Sequence, residues 1–249
     1  MKHRLIIVEG LPCSGKSTTA AFISDLFSRN RRVCCVDEGT GEHPADYECH
    51  ALAPTGLLSE ESRIVPLAQY SGELFQRLLP HKIYDGLPWE TEQPLMLDKW
   101  RQFVSAARAD TTYVFNCVLL QNPLCETMMR FDLPQDITRS HIKQIADIIR
   151  PMDPLVVYLC SGHIADSVLA AARQRPGWLD AVIAYHTGGA YGRRIGAQGF
   201  DGYIRCLQAR QLREMDILSS LPLSSLILTD PQLDWQAARS RLLDYFTET

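Results

Sequence analysis

Eight residues near the amino terminus, Gly10-Leu11-Pro12-Cys13-Ser14-Gly15-Lys16-Ser17, constrain this 249-residue chain more than anything else in it. They match the pattern G-x-x-x-x-G-K-[ST] in full, and the flanking sequence is the kind the pattern requires. The apolar run Leu5–Val8 precedes them. Phe22, Ile23, Leu26 and Phe27 follow on one helical face. Strand, glycine-rich turn and helix in that order make an anion cradle. Gly10 and Gly15 let the backbone bend tightly, and the stretch Pro12, Cys13, Ser14, Gly15, Lys16, Ser17 and Thr18 then wraps the phosphates of a nucleotide. The positive end of the helix dipole stands behind them. In this pattern Lys16 reaches the β- and γ-oxygens, the Ser17 hydroxyl binds Mg²⁺, and Thr18 supports an α-phosphate.

Four further apolar runs read as strands, Val33–Val36, Tyr113–Leu120, Leu155–Leu159 and Leu226–Leu228. Continuous rather than alternating apolar character suits strands covered on both faces. Helical patterns separate them: Met96 to Ala107, Ile164 to Ala172, Tyr203 to Leu218 and Trp235 to Phe246. The alternation predicts a three-layer α/β/α P-loop NTPase fold around a five-stranded, mostly parallel sheet. One domain spans 1–249, with a substrate-binding insertion at about 39–94. A lid at about 173–202 is expected to be flexible, because seven glycines fall between Pro176 and Gly202.

Composition excludes several classes. The formal net charge is −4, with no sign of the basic face that binds nucleic acid. None of the eight cysteines forms a Cys-x-x-Cys pair, so buried reduced thiols are expected rather than a zinc ribbon or disulfide framework. No run nears the ~18 apolar residues of a membrane span, and the apolar run after Arg4 is too short for a signal peptide. A cytoplasmic location is the default expectation.

The string Val8-Glu9-Gly10, followed by Gly15-Lys16-Ser17-Thr18, resembles the opening of the deoxynucleoside kinases and thymidylate kinases. The resemblance is specific over the first 20 residues and architectural beyond Val33. It implies an acidic residue after the second strand beside the phosphoryl-accepting hydroxyl, the place of Asp37 and Glu38; solvated charges or a turn cap are the alternative. It implies lid arginines on the transferring phosphoryl, with Arg173 or Arg175 preferred to Arg193 or Arg194. It also implies an acid at the end of the third strand, often followed by arginine, where this chain has Asn116 and Cys117. The anion for the metal shell then comes from Asp37, Glu38 or Glu126, or the metal is held more weakly.

Other signals are weaker. His43, Asp46 and His50 lack metal-site spacing. Trp89, Trp100, Tyr70 and Tyr84 suit either a planar substrate or the core. Gln121-Asn122-Pro123 lies where ligands bind in open α/β sheets, or is a plain turn. The expectation is an ATP- and Mg²⁺-dependent phosphotransferase acting on a hydroxyl or phosphate of a small molecule such as a nucleoside, nucleotide or natural product. No Asn-Lys-x-Asp motif points to guanine. The alternative is an ATP-binding switch or slow ATPase acting through a protein partner. A homodimer stays open.

Overall fold

The computed structural model describes residues 3–39, 41–58 and 63–248. Its strands are β1 (Leu5–Gly10), β2 (Arg32–Val36), β3 (His50–Leu52), β4 (Ile64–Pro66), β5 (Thr111–Asn116), β6 (Leu155–Cys160) and β7 (Ser224–Thr229). Its helices are α1 (Lys16–Ser28), α2 (Gly72–Leu78), α3 (Trp89–Ala106), α4 (Gln121–Leu124), α5 (Gln135–Ile149), α6 (Ile164–Gln174), α7 (Trp178–Gly188), α8 (Ala190–Arg194), α9 (Gly199–Ser220) and α10 (Trp235–Glu248). Five strands form one sheet in the order β2-β5-β1-β6-β7, and every pairing in it is parallel. No helix among the described residues is long and apolar enough to cross a membrane.

The three layers follow from side-chain alternation along the central strand. Leu5 and Ile7 of β1 join Phe115, Tyr158, Trp100 and Ile145 in a core under α3, α5 and α9. Ile6 and Val8 point the other way and pack with Ile23 and Phe27 of α1 and Leu242 and Phe246 of α10. Both faces of β1 are therefore buried, which is why its sequence is apolar without interruption.

The third strand is shorter than its apolar run. β5 stops at Asn116, and Cys117 and Val118 both take left-handed backbone angles, φ 59° and 88°. That conformation is rare for any side chain and costly for a β-branched one. It turns the chain sharply into α4, which continues as a π-helical stretch, Cys125–Arg130. Sequence analysis placed no helix at 135–149, yet Ile142, Ile145, Ala146 and Ile149 of α5 recur at helical spacing and are buried.

The insertion is folded. β3 and β4 pair antiparallel, and Ala51, Val65, Leu67 and Leu78 make a small core of their own. The stretch from Pro176 to Gly202, expected as a glycine-rich lid, is largely helical. It forms α7 and α8, and Trp178, Leu179, Val182 and Ile183 pack against a core of Leu11, Ile164, Val168 and Tyr203. Three of its glycines, Gly189, Gly192 and Gly202, are required by close approach of the backbone. A Cβ on Gly189 would lie 2.1 Å from the Met129 carbonyl oxygen, and one on Gly192 2.4 Å from that of Thr187. Gly189→Ala should therefore lower stability by about 1–3 kcal/mol through overpacking. A thermal melt checks this, and an unchanged midpoint would contradict it.

Candidate active site

The site lies at the carboxyl ends of the parallel strands, where such sheets bind ligands. The first loop is shaped by its glycines. Gly10 has φ +143°, and a Cβ there would meet the Leu159 carbonyl oxygen at 2.6 Å. Gly15 has φ +96° and lies under the Trp235 ring, which a Cβ would approach to 2.7 Å. Cys13 is left-handed as well, at φ 66°. Gln232 donates from its side-chain amide to the Cys13 carbonyl, so the segment after β7 covers the loop. Lys16 is nearly buried, and its Nζ donates to the carbonyls of Gly10 and Leu11, each at 3.1 Å.

Beside the loop, Ser17, Asp37 and Asn116 converge. Ser17 Oγ donates to Asp37 Oδ1 at 3.3 Å, and Asn116 Nδ2 donates to Ser17 Oγ at 3.0 Å and also to Asp37 Oδ1. Asn116 Oδ1 is buried without a donor. These oxygens suit a small hard cation such as Mg²⁺. The charge missing at the end of β5 is thus present nearby, on Asp37. Glu126 stands elsewhere, paired with Arg130 Nη1 at 2.6 Å. Asp37→Asn should raise the Mg²⁺ concentration for half-maximal activity by about tenfold, one charge-assisted contact being worth about 1.5–3 kcal/mol. A Mg²⁺ titration reads this, and an unshifted midpoint would remove Asp37 from the metal shell.

Glu38 is separated from Asp37 by its partner. Its Oε1 accepts from Gln121 Nε2 at 2.6 Å, and both side chains line the main cavity, about 1000 Å³ in volume. That is at the upper end for one small ligand and leaves room for two. Of the loop, Pro12, Cys13, Gly15, Lys16, Ser17 and Thr18 line it. Ser14 is buried, with its backbone N–H on the Leu11 carbonyl. Arg175 also lines the cavity, its guanidinium 5.7 Å from the centre of the Trp178 ring. Arg173 is exposed on α6 and does not line it. Arg193 donates to the Gly188 carbonyl, and Arg194 pairs with Asp132.

Three features were not read from the sequence in the roles they take, although Glu9 and Glu126 were both named there. Glu9 is completely buried. Its carboxylate accepts from the backbone N–H groups of Leu119 at 2.7 Å and Leu120 at 2.8 Å, clamping the strained turn before α4. Burial pushes its carboxyl up to about 7, against the pull of those amides. Arg210 of α9 is also buried on the cavity wall, 3.0 Å from Glu214, which in turn accepts from Tyr158 OH at 2.7 Å. Burial disfavours its charge, and the Glu214 carboxylate more than restores it. Glu126 and Arg130 form the third, with Glu92 3.4 Å from the same Arg130 nitrogen. Burial and the neighbouring Glu126 hold the Glu92 carboxyl well above the usual range. The i,i+4 spacing of Arg210 with Glu214 and of Glu126 with Arg130 was the available signal.

The weaker signals divide. Gln121, Asn122 and Tyr84 line the cavity. Trp89 packs edge-on against His141, and Trp100 packs against Phe103 and Phe115 in the core. His43 is buried edge-on against Phe115, burial lowering its pKa to about 4.

Comparison with solved structures places this architecture. Deoxyadenosine kinase from M. mycoides with bound dCTP matches with a TM-score of 0.51 at 13% identity, covering 98% of this chain and 100% of that one. The same enzyme with its products dCMP and dCDP matches with a TM-score of 0.50 at 15% identity, over the same shares of the two chains. The chain shares the P-loop fold of that deoxyadenosine kinase. No protein-family model matches the sequence, and no curated protein matches it either.

Proposed function

We propose that this protein is an ATP-dependent small-molecule kinase. The observation that carries the reading is the pairing of a complete phosphate loop with Glu38 on the wall of one cavity large enough for two substrates. In this reading the loop and Lys16 hold the phosphates of ATP, with Trp235, Gln232 and Arg175 lining the cavity beside them. Ser17, Asp37 and Asn116 hold Mg²⁺, which neutralises phosphate charge when bound. Glu38, oriented by Gln121, accepts the proton of the acceptor hydroxyl. The hydroxyl oxygen bonds to the γ-phosphorus, the bridging P–O bond breaks, and its electron pair leaves with ADP. Arg175 is the arginine placed to meet the spread charge of the transferring group.

Trp178, Val182 and Tyr185 of α7 also line this half-open cavity, and water excluded once both substrates fill it would favour transfer over hydrolysis. The test is an acceptor screen with ATP labelled on the γ-phosphate. Label should pass to an organic acceptor. Release only as inorganic phosphate, in the presence of every acceptor class, would instead favour a slow ATPase.

A further inference from the structure

The cavity wall built from the insertion, the end of β2 and α4 is short of both protons and positive charge. Glu38, Glu48, Asp85 and Glu126 lie on it, and Asp46 stands directly behind Tyr84 and Asn122. The cations there are already engaged: Lys82 Nζ is 2.7 Å from Asp85, and Arg210 is paired with Glu214. Arg130 holds Glu126. Three carboxylates take their hydrogen bonds from neutral donors, with Lys82 acting on Glu48 and Lys99 on Asp46 only through space. Glu38 accepts from the Gln121 amide, Glu48 from the Gly39 N–H at 2.7 Å, and Asp46 from Tyr84 OH and the Asn122 amide at 3.1 Å.

An independent observation points the same way. Gln121 is 7% exposed, and its Oε1, on a side chain that lines the cavity, is buried with no donor. A buried carbonyl oxygen without a donor costs free energy until a ligand supplies one. Clustered carboxylates whose hydrogen bonds come from neutral donors attract positive charge. A phosphate-bearing acceptor brings the wrong sign to this wall, and the Arg175 guanidinium lies beside Cys13 of the phosphate loop rather than here.

We infer that the phosphoryl acceptor is a hydroxyl compound carrying a protonated amine, seated against Glu38, Glu48 and Gln121, and that phosphorylated acceptors are refused. This rests on the kinase reading above. The amine keeps its proton throughout, and the hydroxyl alone reacts, giving a phosphate monoester and ADP.

Matched probes test it. Thymidine, 3′-amino-3′-deoxythymidine and thymidine 5′-monophosphate differ chiefly in charge; myo-inositol and 2-deoxystreptamine form a second neutral and amine pair. Transfer of label from ATP gives kcat/KM for each, and calorimetry gives binding to the ADP–Mg²⁺ complex. The amine of each pair should exceed its neutral partner by about tenfold or more, the worth of one charged hydrogen bond. The monophosphate should accept no label. Glu48→Gln or Asp46→Asn should shrink the amine-to-neutral ratio.

Equal rates within both pairs, phosphorylation of the monophosphate, binding of neither amine, or an unchanged ratio in both variants would overturn the inference. ATP titrated alone reads the underlying assignment separately. A protein that takes no ATP ends the kinase reading, whereas one that binds ATP and phosphorylates the monophosphate ends only the amine inference.

Discussion

Lys16→Ala should abolish measurable phosphoryl transfer, by at least about 10²–10³-fold, the cost of removing one preorganised charge-stabilising donor, while leaving the thermal midpoint nearly unchanged. The two expectations have one structural cause. Lys16 is nearly buried beside the cavity, and its hydrogen bonds go to the carbonyls of Gly10 and Leu11. An ammonium whose hydrogen bonds go to neutral carbonyls adds little to the fold and can turn to an incoming phosphate. Alanine removes that charge, and buried Glu9, which feels it through space, keeps its hydrogen bonds from the Leu119 and Leu120 amides. Turnover at the wild-type rate in a folded Lys16→Ala protein would move the active site away from this loop.

Glu38→Gln should lower kcat with the true acceptor by about 10²–10⁴-fold, the usual contribution of a positioned general base. The amide preserves volume and can still hydrogen-bond Gln121, whose Nε2 lies 2.6 Å from Glu38 Oε1. What it loses is the ability to take a proton. ATP affinity and the Mg²⁺ requirement should change little, because Asp37, not Glu38, contacts Ser17 and Asn116. Glu38→Gln and Asp37→Asn thus have different signatures, one in kcat and one in the Mg²⁺ midpoint. Full turnover in Glu38→Gln would place the base elsewhere on the cavity wall.

Much of the frame was legible because it depends on local chemistry. Five apolar runs marked the five parallel strands, and the phosphate loop sat between a strand and a helix as its spacing demands. Two features of the fold were not legible in this way. Glycine in sequence reports only permission, and that Gly189 and Gly192 are needed for close backbone contact appears only in the folded chain. The run from Tyr113 to Leu120 looked like one strand because apolarity does not reveal where a chain turns. The turn at Cys117 and Val118 is held by Glu9, more than 100 positions earlier in the chain.

The sequence by itself determined the layered α/β architecture and the phosphate-binding loop, since periodicity and an eight-residue motif act over short range. It narrowed the acidic pair after β2 to Asp37 and Glu38 without separating them. Only the tertiary structure did so, by bringing Ser17 and Asn116 to one and Gln121 to the other. The acidic wall of the cavity is likewise invisible along the chain. Its carboxylates come from the end of β2, the insertion and the π-helical turn, and whether each meets a cation or a neutral donor depends on packing between segments that the sequence keeps far apart.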